Sequence, residues 1–243
     1  AKLVNGVVQK RGKEAQRLGA APAQIPRRIF QYWDKDTVPD DILSVMDSWR
    51  HLEGYQYERY TRRDARAFLR GAFGPDHERA FLLANNVAEE CDFLRLCLIY
   101  RFGGIYADAD DRYLGGLDGL LRASAGLILF QEPLGAIANN FFAAAPGHPI
   151  LKVAIDFGLK ALLSRSKAPT WSKTGPGLLT RATATYLAPT PSGEADDVRI
   201  VSHNRIRTVI SPHVSLHYKS HPNYWNAENA QFSAQLRDML LAL

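Results

Sequence analysis

The chain has 243 residues, enough to bury one substantial core, and its 46% hydrophobic and 23% charged residues are typical of a globular protein. No run approaches the roughly 18 apolar residues that a membrane-spanning helix needs, and no secretory signal is visible. The 30 basic and 25 acidic side chains leave a net charge of +5, which favours anionic substrates or an anionic membrane surface and indicates no nucleic-acid partner.

The ends of the chain and its cysteines suggest where the protein works. Residues 1–24, basic and then rich in alanine and proline, are predicted to be an N-terminal extension or linker, and residues 25–243 a single domain. Since the chain begins at Ala1 and not at methionine, we expect a longer parent protein. Cys91 and Cys97 face different directions on one predicted helix, which favours buried thiols in a reducing compartment. We therefore expect a cytoplasmic protein with peripheral contact to the inner face of the membrane.

Strand-like and helical segments alternate along the predicted domain. Short apolar or alternating runs between turn residues indicate strands, and apolar side chains at intervals of three and four indicate helices. This order predicts an α/β fold, a sheet flanked by helices that binds ligands at the carboxyl ends of its strands. The predicted strands are 25–33, 55–60, 105–107, 126–132, 198–201 and 208–210, and the predicted helices are 42–49, 61–70, 87–102, 150–163, 178–186 and 228–243.

The stretch from residue 86 to residue 113 organises the domain. Asn85 or Asn86 can cap a helix, because a short side-chain acceptor satisfies free N–H groups of the first turn. One face of this helix is predicted to be apolar, through Val87, Cys91, Leu94 and Leu98. Gly103 and Gly104 end the helix, since glycine enters a left-handed turn without strain. A short buried strand follows and leads into three acids, Asp108, Asp110 and Asp111.

The acids after this strand point to a metal and a nucleotide. In an extended chain Asp108 and Asp110 project to the same side. Two carboxylates at so short a distance repel each other and need a positively charged partner. Mn²⁺ or Mg²⁺ is the usual partner of such carboxylates, and the bound ion commonly also coordinates a substrate phosphate. On the preceding helix, Asp92 and Arg95 are three residues apart and share a face. The acid can bind a hydroxyl of a ligand, and the guanidinium can bind a phosphate. The pattern favours a nucleotide-diphosphate ligand.

The combined pattern resembles a known family. A D-x-x-R helix, carrying Asp92 and Arg95, is followed by G-G-I-Y-x-D-x-D over residues 103–110. This arrangement is similar to the glycosyltransferases with a DXD motif, which include fungal initiating mannosyltransferases and bacterial capsule and lipopolysaccharide sugar transferases. The glucosylating domains of large clostridial toxins are more distant relatives. The resemblance implies a GT-A type nucleotide-sugar-binding domain over residues 25–243, with a mixed sheet flanked by helices.

The resemblance also assigns roles to individual residues. It implies that Trp33 stacks on the nucleotide base. It also implies that Asn139, or alternatively Asn140, in a segment like the family's N-x-x-x-A-x-x-P-G-H-P, lies near the donor sugar. It implies a late segment that closes over the diphosphate with a histidine and a tryptophan, here His221, or alternatively His217, and Trp225. The predicted metal ligands are Asp110 and His221, and the predicted substrate-binding residues are Trp33, Asp92, Arg95, Asp108, Asn139 and Trp225. The chain departs from the family pattern at Phe30, where histidine is frequent, and at Tyr224, where serine is usual.

The function implied by the resemblance is metal-dependent transfer of a sugar from a UDP- or GDP-sugar to an acceptor hydroxyl, with retention of the anomeric configuration. Asp108 and Asp110 would be the catalytic pair. The acceptor would be a glycan, a lipid-linked sugar or a protein, in polysaccharide or glycoconjugate synthesis.

Two alternatives stay open at the level of sequence. One is a non-catalytic module of the same fold that binds sugar nucleotides. The other is a phosphatase of the haloacid dehalogenase type, which also places D-x-D after a strand but normally has threonine or valine where this chain has Arg112.

Overall fold

The computed structural model of the protein describes residues 24–122, 125–188 and 197–220. Its strands are β1 Arg28–Tyr32, β2 Gln56–Tyr60, β3 Gly104–Ala107, β4 Arg112–Tyr113, β5 Leu127–Gln131, β6 Phe141–Ala144, β7 Val198–Ser202 and β8 Ile210–Ser211. Its helices are α1 Asp40–Arg50, α2 Arg62–Phe73, α3 Pro75–Leu82, α4 Val87–Phe102, α5 Leu117–Leu121, α6 Pro149–Leu163, α7 Thr170–Lys173, α8 Pro176–Leu187 and α9 His203–Ile206, with a 3-10 helix at His217–Ser220. The predicted extension before residue 24, the predicted helix 228–243, His221 and Trp225 lie outside the described residues.

A mixed sheet confirms the predicted fold class. Six strands pair in the order β2-β1-β3-β6-β5-β7, and β4 pairs with β8 in a separate ribbon. Within the six-stranded sheet of the described chain, β6 runs antiparallel to its neighbours β3 and β5, and the other pairings are parallel. Strands β1, β3, β5 and β7 therefore direct their carboxyl ends to one edge, where a ligand site is expected.

Both faces of the sheet are buried, which explains its apolar strands. Successive residues enter opposite layers, so Ile105 packs with Trp49 on one side and Tyr106 joins the larger core on the other. The apolar face of α1 packs into the core as the sequence predicts, since Ile42 and Trp49 are fully buried. No helix in the described ranges is long and apolar enough to cross a bilayer.

Helix α4 lies at the centre of the larger layer. Asn86 caps it, its Oδ1 accepting a 2.9 Å hydrogen bond from the N–H of Glu89. The prediction of a single apolar face is wrong, because every residue from 89 to 99 is buried whereas Val87 is 44% exposed. The helix is enclosed because the sheet packs on one side and α2, α3 and α6 pack around the rest. Charged residues on α4 must therefore find partners inside the protein.

The connection from α4 to β3 depends on two glycines with positive φ. Gly103 has φ +65° and Gly104 has φ +102°, conformations that other residues rarely adopt. A Cβ on Gly103 would lie 2.6 Å from Pro146, and one on Gly104 would clash with the carbonyl oxygen of Arg28. The two glycines that end the helix thus also allow β3 to lie close to its neighbours.

The second half of the domain begins its longest described helix with a histidine cap. His148 caps α6, its Nδ1 accepting a 3.3 Å hydrogen bond from the N–H of Ile150. Strand β6 was not predicted, because its four apolar residues lie inside the motif-like segment 139–149. The glycines of the turn before α8 pack against an indole, since a Cβ on Gly177 would lie 2.5 Å from the ring of Trp171.

Candidate functional site

The acidic residues lie at the carboxyl end of β3, near the middle of the sheet. The strand ends at Ala107, and residues 108–111 form a turn in which the N–H of Asp111 donates to the carbonyl of Asp108 at 3.0 Å. The extended-chain argument for the acids is therefore wrong in its geometry. Asp108 and Asp110 nevertheless line the same cleft, because the turn directs both toward it.

The side chain of Asp108 is held against α4. Its Oδ1 accepts from the Tyr106 hydroxyl at 2.9 Å and lies 3.0 Å from Nη2 of Arg95. Burial raises the pKa of Asp108 to about 6, the Arg95 guanidinium opposes that shift, and the Asp110 charge adds to it. Asp108 is thus anchored by Tyr106 and Arg95 and borders the cleft.

Arg95 connects the acid to a buried network behind the cleft. The guanidinium is 3% exposed, donates to the carbonyl of Asn139 at 2.5 Å and lies 3.2 Å from Asp92. Asp92 accepts hydrogen bonds of 2.8 Å from the amide of Asn139 and from the Thr174 hydroxyl. Burial raises the pKa of the Asp92 carboxyl, and the Arg95 charge opposes the shift. Arg95 borders the cleft; Asp92 and Asn139 brace it from behind, and direct contact of either with a ligand stays a prediction.

Asp111 received no role from the sequence, yet it joins three parts of the chain. Its side chain accepts from the Asn140 amide at 2.6 Å and from the N–H of His213 at 3.0 Å, and its carbonyl accepts from the Trp49 indole at 2.6 Å. Burial, with the charges of Asp108 and Asp110, raises the pKa of Asp111. His213 has φ +54°, an unusual conformation for a residue other than glycine and one often found at functional sites.

Asp110, Asp111 and His213 form a candidate metal centre. One ligand atom from each lies within 4.8 Å of the others. Carboxylate oxygens with an imidazole suit Mn²⁺, and oxygen donors suit Mg²⁺. Of the predicted ligands, Asp110 belongs to this cluster, His221 lies outside the described residues, and His217 is exposed on the 3-10 helix, where its N–H donates to Asp41 at 2.9 Å. The sequence analysis did not single out His213, about 100 residues from the acids, and the prediction for His221 stays a prediction.

A cleft of about 840 Å³ opens beside these groups, within the usual range for a small-molecule site. Trp33, directly after β1, forms one wall, and its ring lies 5.6 Å from that of Tyr218, with the two planes at 79°. The Trp33 indole N–H donates to the carbonyl of Thr37 at 3.2 Å, which fixes the orientation of the ring. The lining also includes Tyr32, Lys35, Asn86, Cys91, Arg95, Asp108, Asp110 and His213. An aromatic wall facing an acidic turn suits a base at one end and a phosphate–metal group at the other.

The fold is of the GT-A type, with an acidic turn and a cleft at the carboxyl ends of its strands. Residues 32–126 match the family described as the glycosyltransferase sugar-binding region containing a DXD motif, and over this stretch the chain is similar to that family. The match spans α4, the glycine pair and the acidic turn, the features that carried the resemblance in the sequence.

Two curated relatives are similar to part of this chain. Inositol phosphoceramide mannosyltransferase 1 of Schizosaccharomyces pombe is 28% identical over 136 residues, 54% of this chain and 42% of the relative. The initiation-specific alpha-1,6-mannosyltransferase of Saccharomyces cerevisiae is 30% identical over 104 residues, 40% of this chain and 22% of the relative. The matched stretches thus span less than half of these relatives.

Two toxin domains share the fold. The PaToxG glycosyltransferase has a TM-score of 0.58 at 20% identity, covering 77% of this chain and 76% of that one. The UDP-bound glycosyltransferase domain of the YGT toxin has a TM-score of 0.55 at 9% identity, covering 79% and 81%. The phosphatase alternative finds no support in these matches.

Proposed function

We propose that this protein transfers a sugar from a nucleotide-diphosphate donor to an acceptor hydroxyl in a reaction that depends on Mn²⁺ or Mg²⁺. The observation that carries the proposal is the grouping of Asp110, Asp111 and His213 at the edge of the cleft that Trp33 borders. Mannose is the first sugar to test, because several relatives are named as mannosyltransferases. The family resemblance supports retention of the anomeric configuration, which NMR of the initial product would determine.

Different residues of the chain bind different parts of the donor. Trp33 offers an aromatic face to the base, and Asp108 accepts a hydrogen bond from a ribose or sugar hydroxyl while Arg95 holds it in place. Asp110, Asp111 and His213 would hold the divalent ion, and the ammonium group already beside Asp110 supports the view that this position suits a cation. When bound, the ion supplies Lewis-acid neutralisation of the charge that develops on the diphosphate leaving group.

The acceptor is proposed to be lipid-linked, with free glycans and proteins as the other candidates. Support comes from the relatives named for inositol phosphoceramide and from the net charge of +5, which favours an anionic surface. Comparing transfer to a soluble glycan with transfer to the same glycan on a lipid in vesicles would decide between these acceptors.

Replacing Trp33 by alanine should weaken nucleotide binding by about 1–3 kcal/mol, the range for loss of one base–aromatic stack. Calorimetric titration with the nucleoside diphosphate measures this effect, and the metal requirement should persist. Trp171→Ala is the matched control, since this indole is 52% exposed and does not border the cleft. Unchanged affinity in the Trp33 variant would assign that ring to packing alone.

Metal and nucleotide together should raise Tm by more than the sum of their separate effects. A ligand at 100 times its Kd stabilises the native state by about 2.7 kcal/mol, a rise of about 5–10 °C for a chain of this size. Thermal melts with Mn²⁺, with UDP or GDP, and with both give the comparison, and Asp110→Asn should lose the combined effect. A nucleotide-induced shift that is the same with Mn²⁺ and with a chelator would contradict a metal-bridged site.

A further inference from the structure

The side chain of Lys219 occupies a position that the proposed mechanism does not explain. Its ammonium group makes an ion pair with Oδ2 of Asp110, the second aspartate of the D-x-D motif and a member of the candidate metal centre. The same group donates to the carbonyl of Val214 at 2.8 Å, and the side chain is only 17% exposed. Lys219 is thus a fixed positive charge beside the metal-binding carboxylate.

The segment that carries Lys219 is also attached to the site elsewhere. The N–H of His213 donates to Asp111, the N–H of Val214 donates to the carbonyl of Asp110 at 2.8 Å, and the Tyr218 hydroxyl lies 3.4 Å from Oδ2 of Asp110. One edge of the Asp110 carboxylate therefore faces both the Lys219 ammonium and the Tyr218 hydroxyl. The ammonium weakens the binding of a divalent ion at that oxygen while it keeps its position, because two cations at one carboxylate repel.

We propose that Lys219 is a tethered cation that competes with the divalent ion for Asp110 and exchanges this partner for the diphosphate when metal and nucleotide bind together. This inference rests on the proposed function, and it specifies the binding order. Moving a mostly buried ammonium group away from its carboxylate is unfavourable without a new anionic partner. The donor's diphosphate is such a partner, so nucleotide should be required for tight metal binding.

The exchange of partners by Lys219 also connects the metal centre to Trp33, the proposed base-binding residue. Lys219 directly follows Tyr218, whose ring packs on Trp33 at the other end of the cleft. Displacement of Lys219 would therefore shift the 3-10 helix His217–Ser220 and the aromatic pair that borders the base position. Lys219 is a positioning residue in this view, and its effect should appear in metal affinity before any turnover is measured.

The test is the affinity of the intact chain for Mn²⁺ without nucleotide, measured by electron paramagnetic resonance of free Mn²⁺ in the wild type and in Lys219→Met. The neutral variant should bind Mn²⁺ about tenfold or more tightly, since the competing charge is gone, and added UDP or GDP should improve its Mn²⁺ affinity less than it does for the wild type. Lys219→Arg, which keeps the charge, should resemble the wild type. Lys152→Met is the control, because this lysine pairs with Asp156 on α6 and does not border the cleft.

The possible failures are distinguishable. If folded Lys219→Met binds Mn²⁺ with wild-type or weaker affinity, the tethered cation is wrong while the proposed transferase stands. If the wild type binds no Mn²⁺ even with UDP or GDP present, the metal-dependent function itself is contradicted and this inference falls with it. Lys219→Gln, which retains a donor for the Val214 carbonyl, replaces the methionine variant if the latter does not fold, with the same expected tightening.

Discussion

Asp110→Asn is expected to lower the rate of sugar transfer by about two orders of magnitude or more while leaving the fold intact. The substitution preserves the shape of the side chain but removes the negative charge that a hard divalent ion requires, and metal assistance contributes several kcal/mol to transition-state stability. The fold should tolerate the change, because Asp110 lies at the edge of the cleft and Lys219 retains the carbonyl of Val214 as a partner. Turnover of donor at saturating Mn²⁺, with circular dichroism as a check on folding, measures the effect.

Asp156→Asn provides the matched control for this experiment. Asp156 is a half-exposed acid on α6, paired with Lys152 at 2.6 Å, and it does not border the cleft. Its neutral variant should keep wild-type turnover. If folded Asp110→Asn turned over donor as fast as this control, Asp110 would have no part in metal-dependent catalysis.

Arg95→Met should produce the largest loss of stability, about 3–5 kcal/mol, the usual cost of removing one partner from a buried ion pair. The guanidinium lies within 3.2 Å of both Asp92 and Asp108, and its loss leaves the buried Asp92 and the partly buried Asp108 without their cation. Chemical denaturation gives the free energy of unfolding. Arg101→Met is the control, because Arg101 is on the same helix but exposed to solvent.

A second substitution tests the cause of that loss. Adding Asp108→Asn to Arg95→Met should restore part of the stability, since one of the unpaired charges is then removed and contacting residues are not additive. If Arg95→Met does not accumulate as folded protein, Arg95→Lys, which keeps the charge but loses the planar fork, provides the measurable variant. A loss below about 1 kcal/mol in Arg95→Met would show that the buried network does not depend on this charge.

The parts of the site predicted from sequence are those fixed by short-range signals. The glycine pair marks the end of α4, the apolar run after it marks β3, and acids at a strand end fall at the ligand edge of an α/β sheet. These local features were enough to place Arg95, Asp108 and Asp110 around one cleft, and the family resemblance added Trp33. Asn86 as a cap and the buried face of α1 follow from equally local patterns.

The parts that the sequence did not reveal depend on long-range packing. Helix α4 is buried on all sides because other helices cover the face that its own pattern leaves polar. Asp111 and His213 meet only because the ribbon of β4 and β8 brings the late segment back to the acidic turn. A turn at residues 108–111, rather than an extended chain, then decides which acid faces which partner. The roles of His221 and Trp225, outside the described residues, stay predictions from the family resemblance.

The most direct test of the central claim is the consumption of donor by the purified protein, measured across a panel of UDP- and GDP-sugars with Mn²⁺ or with a chelator. We expect one donor, with GDP-mannose the first to test, to release its sugar or transfer it to an acceptor when Mn²⁺ is present, and to remain intact with the chelator or with Asp110→Asn. Binding of a sugar nucleotide without consumption of any donor, with or without acceptor, would instead indicate a non-catalytic module of the same fold. Equal consumption with Mn²⁺ and with the chelator would contradict the role proposed for Asp110, Asp111 and His213.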